Sequence, residues 1–371
     1  MGEMPQLAAG REPHDRVERK WPGGPLLTFW RNHGFVRMVF QRVVAMVILA
    51  FGISMVAFLL THLVPGDPVA ANLGLKAASN PAVRAAYNAR YGLDKPLPVQ
   101  YEVYVTNLLH GDLGRSQLTR QPVATDLGQF VPASIELGLL AMGLAVAFGL
   151  PLGMIAAVRR GSALDSSLNV VSLFGISTPS FWVGLLGLFL FSFVFGIVPG
   201  SGRLSPGALP PPHVTGMYTV DALLVGDFGT FADTLHHLIL PAVVIAISLV
   251  GVLQRFTRSA VLEVINNDYI TAARAKGLPG TLILLRYTFR AALTPILTLS
   301  GLEFANLMSG AVLVETVFAY PGIGRYAAQS ALNLDIAAIT GVSIFVAIVY
   351  VVTNFIVDVL YALIDPRVRL T

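Results

Sequence analysis

A carboxylate inside an apolar helix is costly in a bilayer, and it marks either a solute path or a buried polar contact. Glu303 is such a group, twelve residues past Ala291 in the apolar run Ala291–Phe318. Asn306 and Ser309 follow it at spacings of three and six, which aligns three polar side chains along one helical stripe. The stripe suits the wall of a water-filled pathway. A polar contact between packed helices fits the same residues. Glu315 lies twelve residues further on, about 18 Å along a helix, and is therefore expected near the external end of that span.

A second constellation lies between two apolar runs, in the charged segment 255–290. Asp268-Tyr269-Ile270-Thr271-Ala272-Ala273-Arg274-Ala275-Lys276-Gly277 reads as a short helix. Asp268 can cap its start. Ala272, Ala273 and Ala275 favour helix and leave a thin face against which a partner can pack closely. Gly277 is a natural left-handed stop, with Pro279 just beyond. Arg274 and Lys276 project to a different side, where acidic groups of a partner could meet them. A short helix tied to two membrane runs suits docking into a groove on a cytoplasmic protein.

Other chemistries find little support. Ser309-Gly310 with His62, His236 or His237 would be the material for an intramembrane hydrolase, but these histidines fall at span ends. Small residues within spans ordinarily serve close helix packing, and Gly149-Leu150-Pro151-Leu152-Gly153 is a pattern of that kind. The seven His never take the His-Glu-x-x-His spacing, and no Gly-x-x-x-x-Gly-Lys-Ser/Thr loop is present. There is no Cys, which removes thiol nucleophiles, disulfides and cysteine metal ligands within this chain.

The elements that hold these residues are membrane helices. Of 371 residues 54% are hydrophobic and only 12% charged, too apolar for a soluble globule or a disordered chain. Mean hydropathy is +0.68. The net charge is +4 and is scattered between apolar runs, so no nucleic-acid face is indicated. A bilayer core takes about 20 apolar residues per helix. Six runs qualify: Val43–Thr61, Leu137–Val158, Ser166–Gly202, Leu238–Gln254, Ala291–Phe318 and Ile336–Val357. Thr178-Pro179 interrupts the third, where the helix should kink or begin anew. Lys and Arg divide 17 to 8 between the two sides, which places both termini and 255–290 in the cytoplasm.

The domain reading follows. Residues 1–35 are a polar cytoplasmic extension and 36–63 the first span. Residues 64–135 are an external segment, and 136–371 a core of five further spans carrying the 255–290 loop. Within 64–135, Pro81–Tyr91 reads as a helix ending at Gly92, and Val99–Leu109 as another. Gly111-Asp112-Leu113-Gly114 then turns the chain. In 199–237, Val220–Leu224 is a short amphipathic stretch.

At the 268–277 segment, continuing to Arg290-Ala291-Ala292-Leu293-Thr294-Pro295, the sequence resembles the permease subunits of bacterial ATP-binding-cassette importers for dipeptides and oligopeptides. Ala272, Ala273 and Gly277 stand on the signature positions, and Thr271 replaces the glutamate that names the motif, as it often is in peptide-type permeases. Leu63-Val64-Pro65-Gly66-Asp67-Pro68, Tyr91-Gly92-Leu93-Asp94, Gly111-Asp112-Leu113-Gly114-Arg115-Ser116, Pro179-Ser180-Phe181-Trp182, Val314-Glu315-Thr316-Val317-Phe318 and Asp365-Pro366-Arg367 are similar too. The resemblance runs from about Arg37 to Arg369. It implies an all-α membrane protein with six transmembrane helices, the type I ABC importer permease fold, a helical external loop and a cytoplasmic coupling helix. It also implies a homologous second permease, two ATPase subunits docked on the coupling helices, and an external solute-binding protein delivering peptide. ATP and Mg would belong to the ATPase partners, so this chain would be no enzyme and hold no cofactor or metal. Related permeases carry nickel, glutathione or other small solutes.

Overall fold

The computed structural model describes residues 34–63, 69 and 75–364. Most of the 1–35 extension, the Val64–Pro68 part of the first motif and the Asp365-Pro366-Arg367 ending lie outside the described residues. Among the described residues the regular structure is helical, and extended pairing is limited to an isolated bridge between Arg115 and Pro122.

Four helices are long and apolar enough to cross a membrane: Val123–Val158, Phe228–Ile265, Gly280–Met308 and Ile336–Leu360. A broken pair, Ala163–Ser177 and Ser180–Val194, adds a fifth crossing if it counts as one span. The first helix, Gly34–Leu63, contains a shorter apolar stretch, Val43–Val56. The described residues thus supply four or five spans by length and apolarity, where the sequence reading gives six.

Helix ends depart from the apolar runs in instructive ways. The helix that carries the second apolar run begins at Val123, inside the 64–135 segment, and its 36 residues are more than a bilayer core requires. Pro122 opens the helix with its fixed φ of −58°. Asp126, Ser134 and Glu136 look like loop residues but are buried on partners from distant segments. The helix Phe228–Ile265 has 38 residues, about 57 Å at the usual rise, and so projects beyond a hydrocarbon core of about 30 Å. At Thr178-Pro179 the chain begins a new helix bent by 94° from the last. Proline removes the intrahelical bond there, and Thr178 closes the first half by donating to Phe174 O.

The run Ala291–Phe318 is not one helix. A π-helical turn, Ile283–Phe289, leads into Arg290–Gly310, the chain breaks at Ala311, and Val312–Val317 forms a separate short helix. Glu315 therefore sits in a different helix from Glu303. The short helices match their sequence signals: Pro81–Tyr91 closes at Gly92 with φ +67°, Leu97–Leu109 follows, and Tyr218–Leu224 covers the Val220–Leu224 stretch.

The core forms where Val123–Val158 crosses Phe228–Ile265. A Cβ on Gly149 would stand 2.9 Å from Leu253 Cβ, and one on Gly153 only 2.6 Å from Gln254 O. These two glycines let the backbones meet, which is how helices associate without a hydrophobic drive between them. Ile336–Ile364 packs on Arg290–Gly310 and on the first helix. The Leu97–Leu109 helix also touches the first helix, through Ser54 Oγ and Tyr101 OH at 2.9 Å and the Phe51 and Phe58 rings. Only 28% of the apolar window of Val123–Val158 and 22% of that of Gly280–Met308 are buried within the chain, so their remaining faces meet lipid or another subunit.

Candidate functional site

The 268–277 segment forms the helix Asp268–Ala275. Its N-cap is Asn267, not Asp268, and no side chain bonds the first turn. Asn267 O accepts from Ile270 N and Thr271 N, and Asp268 sits within the helix, where its charge suits the positive end of the helix dipole. Gly277 ends it with φ +73°, donating to Arg274 O at 2.9 Å. A Cβ there would meet nothing within 4 Å, so backbone conformation alone selects glycine.

The helix is anchored by Ile270 and Ala273, which are buried against Ile283 with Ile265 and Leu278 around them. Ala273 therefore faces this chain's own interior, where the sequence reading gave it to a partner's groove. At 100° per residue the face opposite the anchor carries Asp268, Thr271, Ala272 and Ala275, all exposed. Tyr269 and Arg274 flank it, and Lys276 follows, also exposed. The anchor ties the helix to the end of Phe228–Ile265 on one side and to the π-helical turn before Arg290–Gly310 on the other.

On Arg290–Gly310, Ala305, Leu307 and Met308 are buried, while Leu302 and Asn306 are exposed and Glu303 is half-buried. Glu303 and Asn306 thus share the outward face, away from this chain's own core. The Ser309 side chain lies outside the described residues.

Glu315, in contrast, is fully enclosed. It accepts from Ser134 Oγ at 2.6 Å and from Arg325 N at 2.8 Å, and Ile323 N donates to the same Ser134 oxygen. Next to it, Arg203 Nη2 meets Glu136 Oε2 at 2.6 Å, with both side chains buried. Glu136 also accepts from Thr219 N at 2.7 Å, and the Arg203 guanidinium lies 3.5 Å from the Tyr218 ring centre. Burial pushes the Tyr320 hydroxyl up, above the usual tyrosine range, so it serves as a neutral donor to Ala133 O. A third enclosed carboxylate, Asp335, accepts from Ser116 Oγ and from the N–H groups of Gln117 and Leu118. Asp335 is wholly buried and also caps the last helix by accepting from Ala338 N. Asp126 joins Thr119 to Tyr326. These four carboxylates fasten the segments around 116–119, 203–219 and 320–326 to the ends of the long helices. Sequence spacing gave no sign of them, because the partners stand from 67 to 219 residues apart in the side-chain pairs Arg203–Glu136 and Ser116–Asp335.

Residues 149–370 match the family described as binding-protein-dependent transport system inner membrane component, and residues 35–128 match its N-terminal companion. The chain belongs to this family. The probable D,D-dipeptide transport system permease protein DdpB of Escherichia coli (strain K12) is 43% identical over 342 residues, 92% of this chain and 98% of that protein. The di/tripeptide transport system permease protein DppB of Pseudomonas aeruginosa (strain UCBPP-PA14) is 43% identical over 319 residues, 86% and 94% of the two chains. Among solved structures, the MetNI methionine ABC transporter in an inward-facing conformation overlaps 63% of this chain and 93% of its own, with a TM-score of 0.47 and 15% identity.

The permease is thus a multi-pass inner-membrane transport component. The Asp268–Ala275 helix and Glu303 both fall within the matched 149–370 region. The helices Pro81–Tyr91 and Leu97–Leu109 fall within the matched 35–128 region.

Proposed function

We propose that this permease forms the translocation pathway of an ATP-driven importer for dipeptides or short oligopeptides. It would work beside a homologous second permease, with two ATPase subunits on the cytoplasmic side and an external solute-binding protein delivering peptide. ATP and Mg reside on the ATPase partners; this chain contributes the path and the lever. Both termini and 255–290 face the cytoplasm.

One observation carries the reading: Asp268–Ala275 hides Ile270 and Ala273 within its own chain and turns Thr271, Ala272 and Ala275 outward. Small outward residues allow a groove to close on the helix backbone. The buried anchor then moves with it. A displacement of the helix by the ATPase shifts Ile283, and through the π-helical turn it shifts Arg290–Gly310, which holds Glu303. The peptide assignment rests on the dipeptide permeases among the relatives. Glu303 and Asn306 are the pathway candidates, with Glu303 suited to a peptide's ammonium group. A lipid-facing carboxylate would be strongly disfavoured.

The test is uptake by proteoliposomes holding the complete transporter, with binding protein and ATP supplied. Dipeptide accumulation that needs ATP, and that nickel or glutathione does not compete away, supports the proposal. Accumulation of nickel or glutathione alone would transfer the same architecture to another solute, and uptake without ATP would reject the ATP-driven reading.

A further inference from the structure

A cavity of about 360 Å³ opens between the Ala163–Ser177 and Phe228–Ile265 helices, at the end nearest Asp268–Ala275. Its lining is Asn169, Leu173, Arg255, Arg258 and Ser259. The Arg258 guanidinium is held in place by Asp165, with Nε to Oδ1 at 2.7 Å and Nη2 to Oδ2 at 2.9 Å. Asn169 Nδ2 steadies the same carboxylate at 2.9 Å. Gly161 N donates to Asp165 Oδ2, so the loop bearing exposed Arg159 and Arg160 is pinned beside the cavity. Asp165 is therefore spent on Arg258. Arg255 is exposed and has no ion pair or hydrogen bond among the described residues. The nearest acid further along its helix is Glu263, two turns away and exposed.

The rest of the surroundings are apolar. Leu173 is 54% exposed, and Val170 and Phe174 on the same side of their helix are 68% and 66% exposed. A cationic recess at a helix end that continues into a bare aliphatic face has the two-part character of a phospholipid. We propose that it binds the phosphate headgroup of an anionic phospholipid. Arg255, with Ser259 beside it, would take the phosphodiester, and an acyl chain would lie along Leu173, Val170 and Phe174. Guanidinium groups suit phosphate oxygens because their planar N–H groups donate in parallel. The lipid would brace the junction of two spans just before the Asp268–Ala275 helix. This inference needs only that the junction lies at a membrane surface, and it stands whichever solute is carried.

The experiment uses the purified complete transporter in nanodiscs of equal phosphatidylglycerol and phosphatidylcholine, with a photoactivatable phosphatidylglycerol as probe. Native mass spectrometry counts retained lipids, and peptide mapping locates the cross-link. The wild type should retain phosphatidylglycerol in preference to phosphatidylcholine and cross-link within 169–174 or 255–259. Arg255→Gln should lower that retention about fivefold, since a basic residue at an anionic surface contributes roughly 1 kcal/mol. Arg255→Lys should keep most of it. Millimolar inorganic phosphate should leave the retained lipid in place; displacement by phosphate would show a site for free anions and overturn the lipid assignment. Equal retention of the two lipids by the wild type, or a cross-link confined elsewhere, would also overturn it. Where Arg255→Gln disturbs assembly, the wild-type cross-link position decides.

Discussion

Glu136→Gln is the sharpest test of how the external segments are held. The change keeps size and one hydrogen-bonding oxygen but removes the charge that faces Arg203 at 2.6 Å. Both side chains are nearly inaccessible, at 6% and 4% exposure. Removing one member of a buried pair leaves the other uncompensated, at a cost of about 3–5 kcal/mol. The Tyr218 ring under the guanidinium offsets part of this, a cation–π contact being worth up to about 2 kcal/mol when desolvated. A net loss of about 1–3 kcal/mol remains, which corresponds to opening of the 203–219 clasp more often by about 5- to 160-fold. Hydrogen exchange of the Thr219 amide reads it directly, since that N–H donates to Glu136 Oε1. Glu136→Leu combined with Arg203→Met should cost less than the sum of the two single changes, because no charge is stranded. Exchange at Thr219 unchanged in Glu136→Gln, or strict additivity in the cycle, would refute the clasp.

Four other outcomes follow from the same geometry. Gly277→Val should weaken ATPase co-purification, because a β-branched residue at φ +73° costs about 1–3 kcal/mol, whereas Lys276→Ala should be mild. Glu303→Gln should reduce peptide uptake while leaving assembly intact; unchanged uptake of every candidate solute would return Glu303 to a packing role. Deleting residues 82–90 should lower uptake but spare basal ATP hydrolysis by the complex. Asp221 supplies a pH signature. Burial alone would raise its carboxyl, but bonds from the Thr215 hydroxyl and from the N–H groups of Thr215, Gly216 and Val214 outweigh this and hold it below the ordinary 3.8. Its folded value is depressed, so its stabilisation is present above 3.8 and fades as pH falls through the lower value. Amide exchange at 214–216 should accelerate at acidic pH, and Asp221→Asn should abolish that dependence.

What the sequence showed, and what it hid, divides along physical lines. Pro81–Tyr91 with Gly92, and the stop at Gly277, were legible because caps and left-handed glycines act within a few residues. The break at Thr178-Pro179 was legible for the same reason, although the 94° bend depends on what the second half packs against. The start of the long helix at Val123 was hidden, because Asp126 and Glu136 look like loop residues until Tyr326 and Arg203 are brought to them. Asp268 looked like a cap, but Asn267 takes that position and the first turn is left to backbone carbonyls. Ala273 was assigned to a partner because alanine content marks a thin helix but not which way it turns. Its direction is set by Ile283, ten residues on, across the Gly277 turn.

In the proposed transporter Asp268–Ala275 docks on an ATPase subunit by the face that carries Thr271, Ala272 and Ala275. The chain has no cysteine, so single cysteines can be placed without background. The most direct measurement is short-range cross-linking in the assembled transporter with cysteine at Ala272, at Ala275 or at the buried Ile270. The account predicts a cross-link to the ATPase subunit from Ala272→Cys and Ala275→Cys, strengthened or weakened by ATP, and none from Ile270→Cys. Absence of any ATPase cross-link at both outward positions, in complexes that still hydrolyse ATP, would contradict it.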